Sequence, residues 1–215
     1  MQLPLPPLED QRRIVARIDE LAAKIEEARG LRRQAAGEAE AISPSVTANI
    51  FDNSVWARQT IGELIAGAGL RNGKSLKTTG QPSDVRCLTL SALRHGRINC
   101  AHTKPVSMTN VEAAPYLVHP EDVFVVRGNG TKELVGRAGI VAENCAGLIF
   151  PDLFIRVPLD RDKVIGSFFV SVWNSRQMRD LIEDTAKTTS GIWKINQGHI
   201  ESFSIPVPPL LSTWP

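Results

Sequence analysis

The sequence has 215 residues, 42% hydrophobic and 22% charged, proportions of an ordinary globular protein that exclude a disordered or fibrous chain. At roughly 100–200 residues per domain, this length suits one domain or two small ones. Basic residues exceed acidic ones by only two, no apolar run reaches the roughly 18 residues of a membrane span, and the opening MQLPLPPLEDQRR lacks a signal-peptide layout, so a soluble cytoplasmic protein is expected.

Residues 8–42 contain no proline, follow the proline-dense PLPP and are rich in Ala, Glu, Arg, Ile and Leu. Their apolar positions Ile14, Ile18, Leu21, Ile25, Ala28, Ala35, Ala39 and Ile42 recur in alternating steps of four and three, broken only at Arg32. That is the seam of a coiled-coil-type helix. It is bulky at first and narrows to alanine, so a partner helix can approach more closely near its C-terminal half. At 1.5 Å per residue the helix spans about 50 Å, a length that suits a rod between two modules. Residues 1–50 carry seven basic and eight acidic side chains, which favours protein partners over DNA for this helix.

From about residue 50 the pattern changes to short runs with strand character bounded by Gly, Pro and Asn: residues 85–90, 122–127, 137–142, 152–157 and 204–208. Within residues 161–185, Val164, Ile165, Phe168, Phe169, Val172 and Trp173 fall at helical spacing. Asn174-Ser175 marks a break before a second short helix. The expected fold class is α+β, a long N-terminal helix followed by a mixed α/β domain. Boundaries are expected at 1–48 for the helical region, 49–204 for the mixed domain and 205–215 for a further segment. Leu3-Pro4-Leu5-Pro6-Pro7-Leu8 recurs as Ile205-Pro206-Val207-Pro208-Pro209-Leu210. This echo spans a whole domain and suggests a unit of proline entry, helix and domain that can be used twice.

Charge is unevenly distributed. Residues 71–104 hold seven basic side chains against the single Asp84, a net of +6, which suits a polyanion partner. Enzymatic motifs fail on inspection. Ala68-Gly-Leu-Arg-Asn-Gly73-Lys74-Ser75 fits a relaxed phosphate-loop pattern, but the following LKTTGQPSD contains Gly80 and Pro82 where a helix must open. His95, His102, His119 and His199 are scattered, and Cys87, Cys100 and Cys145 are odd in number without a C-x-x-C, so buried thiols are expected in place of a disulfide framework or metal site. No catalytic residue, metal or cofactor is expected, and the chain reads as a non-catalytic subunit.

LPLPPLEDQRRIVARIDELAAKIEEAR, LTLSALRHGRIN, HPEDVFVVRGNGTKELVGRAGIV and SGIWKINQGHIESFSIPVPPL stand in this order over nearly the whole chain. Together they resemble the specificity subunit of type I restriction-modification systems. The resemblance implies target recognition domains that each read half of a split DNA site, with conserved helices that set the spacing and dock methyltransferase subunits. A motor-nuclease subunit joins for cleavage. This sequence departs from that pattern by having one recognition domain and one complete helix, so it looks like a half-subunit, natural, truncated or excised. The expected function is sequence-specific recognition of double-stranded DNA, with methyltransferase and motor-nuclease subunits as partners. A homodimer through the seam residues is a further expectation. The other reading is a protein-protein adaptor acting through the long helix.

Three segments are candidate DNA contacts. The first runs from Arg71, Asn72 and Lys74 to Lys77 and Thr78, with Gly73 expected to let backbone N–H groups approach phosphates. The second comprises Arg127, Asn129, Thr131 and Lys132, either a hairpin tip entering a groove or a plain exposed hairpin. The third comprises Lys187, Thr188, Ser190, Lys194 and Asn196, where the amides of Asn196-Gln197 can pair with adenine. Arg94 and Arg97 are expected to contact the backbone of DNA in preference to its bases, and Trp193 to be a core anchor more than a stacking group.

Overall fold

The computed structural model describes residues 7–52, 56–67, 69–75, 85–143, 145–189 and 191–208; for residues 33–52 and 189 the description covers the backbone alone. The chain divides into two compact units, Met1–Val46 and Thr47–Pro215.

Helix α1 runs over Leu8–Asp52 with Glu9 and Asp10 in its first turn, where negative charge offsets the positive end of the helix dipole. It extends ten residues beyond Ile42, the last position of the seam, and passes through Pro44, which lacks the N–H that a helix interior uses. The first half shows why a polar helix forms here. Arg17 and Lys24 both reach Glu20, at 2.7 and 2.6 Å, and Arg29 reaches Glu26 at 2.6 Å, pairs at the three- and four-residue spacings that align side chains on one face. The two cations hold the Glu20 carboxyl below its ordinary range, Lys24 contributing most.

The second unit opens with β1 (Arg58–Thr60), α2 (Ile61–Leu64) and β2 (Arg71–Asn72). Strands β3 (Arg86–Leu88), β4 (Leu93–Arg94), β5 (Arg97–Ile98) and β6 (Thr103–Pro105) follow, then α3 (Asn110–Ala113). The centre holds β7 (Val123–Val126), β8 (Gly128–Asn129), β9 (Ala138–Ile140), β10 (Leu148–Ile149) and β11 (Phe154–Val157). The chain continues through α4 (Gly166–Trp173), α5 (Arg176–Thr185), β12 (Lys187–Thr189), β13 (Ile192–Lys194), α6 (Gln197–Ser202) and β14 (Ser204–Pro206). A strand-rich α+β unit therefore follows a long N-terminal helix, as the sequence predicts, and each of the five expected strand segments contains a strand. Helices α2 and α3 start at capping boxes, in which Thr60 and Glu63, and Thr109 and Glu112, satisfy each other's backbone N–H groups.

A six-stranded sheet of order β2-β11-β7-β9-β5-β4 forms the frame, antiparallel except between β5 and β9. Strand β7 reads Val-Phe-Val-Val and is buried at all four positions. Its alternation sends Val123 and Val125 to one core, with Ile155, Phe169, Trp173 and Ile182, and Phe124 and Val126 to the other, with Phe150 and Phe154. An uninterrupted apolar strand is what a sheet covered on both faces requires. A second sheet, β10-β3-β6, encloses a third cluster around Cys87 and Ile149. Strand β14 pairs antiparallel with β1, so Ile205 and Val207 from the second proline-rich echo lie in the main core. The first copy, up to Pro6, is outside the described residues.

The break between the two helices falls where the sequence puts it. Ser175 caps α5 through the Met178 N–H, and Asn174 clamps Ala138 by accepting from its N–H at 3.0 Å and donating to its carbonyl at 2.9 Å. Burial pushes the Cys87 thiol up to about 11, in keeping with a buried thiol. The other two cysteines depart from that expectation. Cys100 and Cys145 are paired as a disulfide with Cα atoms 5.5 Å apart, which joins segments 45 residues apart that the count of three cysteines gave no reason to link.

Trp173 is fully buried, stacks on Phe169 at 5.3 Å and donates Nε1–H to the Gly136 carbonyl at 2.6 Å. Trp173→Phe keeps an aromatic ring there but removes the donor. The expected loss is about 2 kcal/mol of unfolding free energy, within the usual cost of a buried acceptor left without its partner. Urea denaturation with an unchanged m-value measures it.

Candidate nucleic-acid interface

The second and third candidate segments meet in one small sheet. Strand β13 pairs on one side with β12 and on the other with β8, so Lys187, Thr188, Lys194 and Asn129 come from two distant stretches into one register. Directly opposed residues of an antiparallel pair share a face. Lys187 stands opposite Lys194, and Gly128 stands opposite Lys194 on the far side. The glycine leaves room for the lysine stem, whose Cγ would lie 3.2 Å from an added Cβ. Thr188, Trp193 and Asn129 belong to the other face.

The second segment is not a simple hairpin. Strand β7 ends at Val126, and Gly128–Asn129 leaves the six-stranded sheet to pair with β13. Asn129 then folds its Oδ1 onto the Thr131 N–H at 2.9 Å, and Lys132 rests its ammonium 5.0 Å from the centre of the Trp193 ring. Trp193 is partly buried against the main core, the anchor the sequence predicts, with the cation–π contact added on its outer side. Arg127 is half-buried; its backbone N–H reaches the Leu153 carbonyl and its carbonyl accepts from Ile195.

The loop after Asn129 is held from beneath by α5. Arg179 is buried, and its Nη2 donates to the carbonyls of Glu133 at 3.2 Å and Val135 at 2.6 Å and to the Glu183 carboxylate at 3.3 Å. Burial lowers the guanidinium pKa, yet arginine stays charged in proteins. Gly136 adopts a φ of +71°, and an added Cβ would lie 2.4 Å from Ile182. Glycine is needed there on both counts. Neither Arg179 nor Gly136 was a candidate from sequence; nothing but three-dimensional packing marks them.

The first segment joins the same region through Asn72. Gln197 donates Nε2–H to the Asn72 Oδ1 at 3.2 Å, across 125 positions of sequence. Arg71 is exposed, donates to the Pro115 carbonyl at 3.2 Å and lies 5.5 Å from the Tyr116 ring centre. It stands opposite Arg156 in the β2–β11 pair. Arg156 is itself balanced by Asp122 at 3.0 Å, and burial lowers its pKa more than Asp122 raises it. Lys74 is exposed.

One expectation about these loops needs correction. Gly73 does not open its N–H to a phosphate: that N–H donates to the Phe154 carbonyl at 3.1 Å, and an added Cβ would sit 2.1 Å from the Pro151 carbonyl oxygen. The glycine is there for close backbone packing, which also removes the phosphate-loop resemblance at its central residue. The Asn196 Oδ1 serves as the N-cap of α6, accepting from the His199 N–H at 2.8 Å, which ties its amide to the helix start. Gln197 beside it carries the second amide of the segment.

Arg94 and Arg97 stand opposite each other in the β4–β5 hairpin, at the edge of the six-stranded sheet farthest from β2. The structure does not bring them to the other candidates. Lys77, Thr78 and Ser190 lie outside the described residues. Along α1, Ile14, Ile18, Leu21 and Ile25 are all exposed, between 45% and 58%, Ala28 is exposed with them, and Ala35, Ala39 and Ile42 fall in the stretch described by its backbone alone. Leu31 is also exposed, three residues after Ala28, so the apolar stripe continues beside Arg32. Among the described residues no cluster of His, Cys, Asp and Glu is arranged to hold a metal ion, and no helix is long and apolar enough to cross a membrane.

No family model matches the chain. Two curated proteins do: the StySPI type I restriction enzyme specificity subunit of Salmonella potsdam, 24% identical over 222 residues, and the EcoKI type I restriction enzyme specificity subunit of Escherichia coli K12, 23% identical over 224 residues. Each alignment covers 98% of this chain and 48% of the relative. The chain therefore spans about half the length of the curated relatives it matches. Among solved structures, the HsdS subunit from Thermoanaerobacter tengcongensis superposes with a TM-score of 0.54 at 18% identity, over 97% of this chain and 49% of that one. A chain from a structure describing complex assembly and conformational transition of the type I R-M system gives 0.56 at 20% identity, over 97% and 50%. In sequence and in fold, this chain is similar to about half of a type I restriction enzyme specificity subunit.

Proposed function

We propose that the chain is a non-catalytic DNA target-recognition unit of a type I restriction-modification system, which reads one half of a bipartite site. The observation that carries this reading is the convergence of three distant, cation- and amide-bearing segments through the β8-β13-β12 sheet and the Asn72–Gln197 bond. The Lys187–Lys194 pair adds weight. Like charges directly opposed across strands cost stability, and among the described residues neither lysine has an acidic partner within ion-pair distance. A phosphate beside them removes the repulsion. Resemblance to specificity subunits over nearly the whole chain supports the same function.

The same reading gives α1 its task. Its exposed stripe Ile14, Ile18, Leu21 and Ile25 has the spacing of a coiled-coil seam, suited to helices of methyltransferase and motor-nuclease subunits or to a second copy of the chain. Boundaries near residues 48 and 204 separate this docking region, the recognition domain and the start of a second conserved region. The interior of a cell, where DNA is found, is the expected location.

Two measurements test these assignments. Lys187→Ala and Lys74→Ala are each expected to weaken binding to all duplexes alike and to reduce the slope of log K against log salt by about 0.9 for each phosphate that is no longer neutralised. An unchanged slope removes phosphate binding at that lysine. For the helix, sedimentation at tens of micromolar is expected to show self-association of the wild type that the double variant Ile18→Asp/Ile25→Asp abolishes. Identical monomers for both would remove the homodimer and leave other subunits as the partners of α1.

A further inference from the structure

We propose that Gln197, oriented by Asn72, reads the major-groove edge of an adenine; the assignment rests on the DNA-recognition reading above. The two side chains are half-buried and joined by the Gln197 Nε2–H to Asn72 Oδ1 bond at 3.2 Å. Both ends of this bond are anchored. Asn72 lies in β2, paired with β11, and the next residue is locked where Gly73 meets the Pro151 carbonyl and donates its N–H to Phe154. Gln197 is the first residue of α6, between the buried side chains of Ile195 and Ile200, and the helix start is fixed by the Asn196 cap on His199.

A primary amide has two N–H donors and one oxygen. With one donor spent on Asn72, Gln197 retains an acceptor and a donor side by side, and among the described residues no other polar contact takes either. Adenine presents N7 as acceptor and the N6 amine as donor in the major groove, the complement of that edge. A free glutamine can turn its amide over and present the opposite order. With its Oδ1 toward Gln197, Asn72 accepts from nitrogen and not from oxygen, so it favours the order in which Gln197 presents its edge, which makes it a positioning residue. Arg71, Lys74 and Lys194, close in sequence to the two amides and exposed, are suited to the phosphates that flank the base.

The test is selection from a randomised duplex library with the full-length chain, in one buffer, for wild type, Gln197→Glu, Asn72→Ala and Asn72→Asp. Urea unfolding midpoints establish that each variant is folded. Wild type is expected to enrich a motif with adenine at one position. Gln197→Glu is expected to reduce that preference roughly tenfold or more and to move it toward cytosine, whose N4 amine donates to a carboxylate, with the other positions unchanged. Asn72→Ala is expected to blur the same position alone, and Asn72→Asp, which keeps the acceptor, to restore it. A wild-type motif that none of these variants alters at any position overturns the role of Gln197 while DNA recognition stands. No enriched motif for wild type removes the recognition reading and this inference with it.

Discussion

The globular unit is organised around a buried elbow. At the turn from α4 to α5, three side chains reach one stretch of chain: Trp173 donates to Gly136, Asn174 exchanges two hydrogen bonds with Ala138, and Arg179 holds the carbonyls of Glu133 and Val135. That stretch links β8 of the small sheet to β9 of the large one. An unpaired buried carbonyl is costly, and these side chains supply the partners that water supplies at a surface. The helices therefore fix the path of residues 133–138. Through it they set where β8 leaves the main sheet and where Asn129, Thr131 and Lys132 are presented. A charged guanidinium is an expensive way to hold a loop, since desolvation opposes it. Nη2 alone makes the contacts to two carbonyls and a carboxylate, while among the described residues Nε and Nη1 find no hydrogen-bond partner.

Electrostatics divides the basic residues into two groups. Arg156 and Arg179 are largely buried, carry carboxylate partners at 3.0 and 3.3 Å, and belong to the architecture. The pair Lys187–Lys194 faces its like directly across a strand pair, as Arg94–Arg97 does. Folding alone gives no reason to keep such repulsion. The two pairs lie in different sheets, and their charge does not show in a chain total of 25 basic against 23 acidic residues. Net charge is thus a poor guide here, while the register of individual strands is a good one.

Period and punctuation made much of this fold legible. The heptad steps of α1, the apolar run of β7 and the Asn174-Ser175 break all reflect local rules, and the elements they mark are present. What the sequence did not disclose depends on contacts far apart in the chain. The close approach of Gly73 to Pro151, the positive φ of Gly136 and the Cys100–Cys145 pairing leave no local pattern. At the site the same limit applies more sharply. Composition picked out candidate residues in three loops, but it could not tell that Asn196 caps a helix while Gln197 bonds Asn72. Two adjacent amides have equal standing in a sequence; the first turn of a helix separates them.

The two units meet opposite physical demands. Specific recognition needs side chains held to within a fraction of an ångström, because a bidentate amide contact distinguishes bases only if its donor and acceptor stay in order. The second unit is braced by three apolar clusters and by the elbow beneath the loops, which is what the proposed contact requires. Helix α1 has no such core of its own. Its surface pairs are exposed, and surface pairs contribute little to stability, so its apolar stripe is the main driving force it has left to offer. A long helix with an uncovered apolar seam gains stability when that seam is covered.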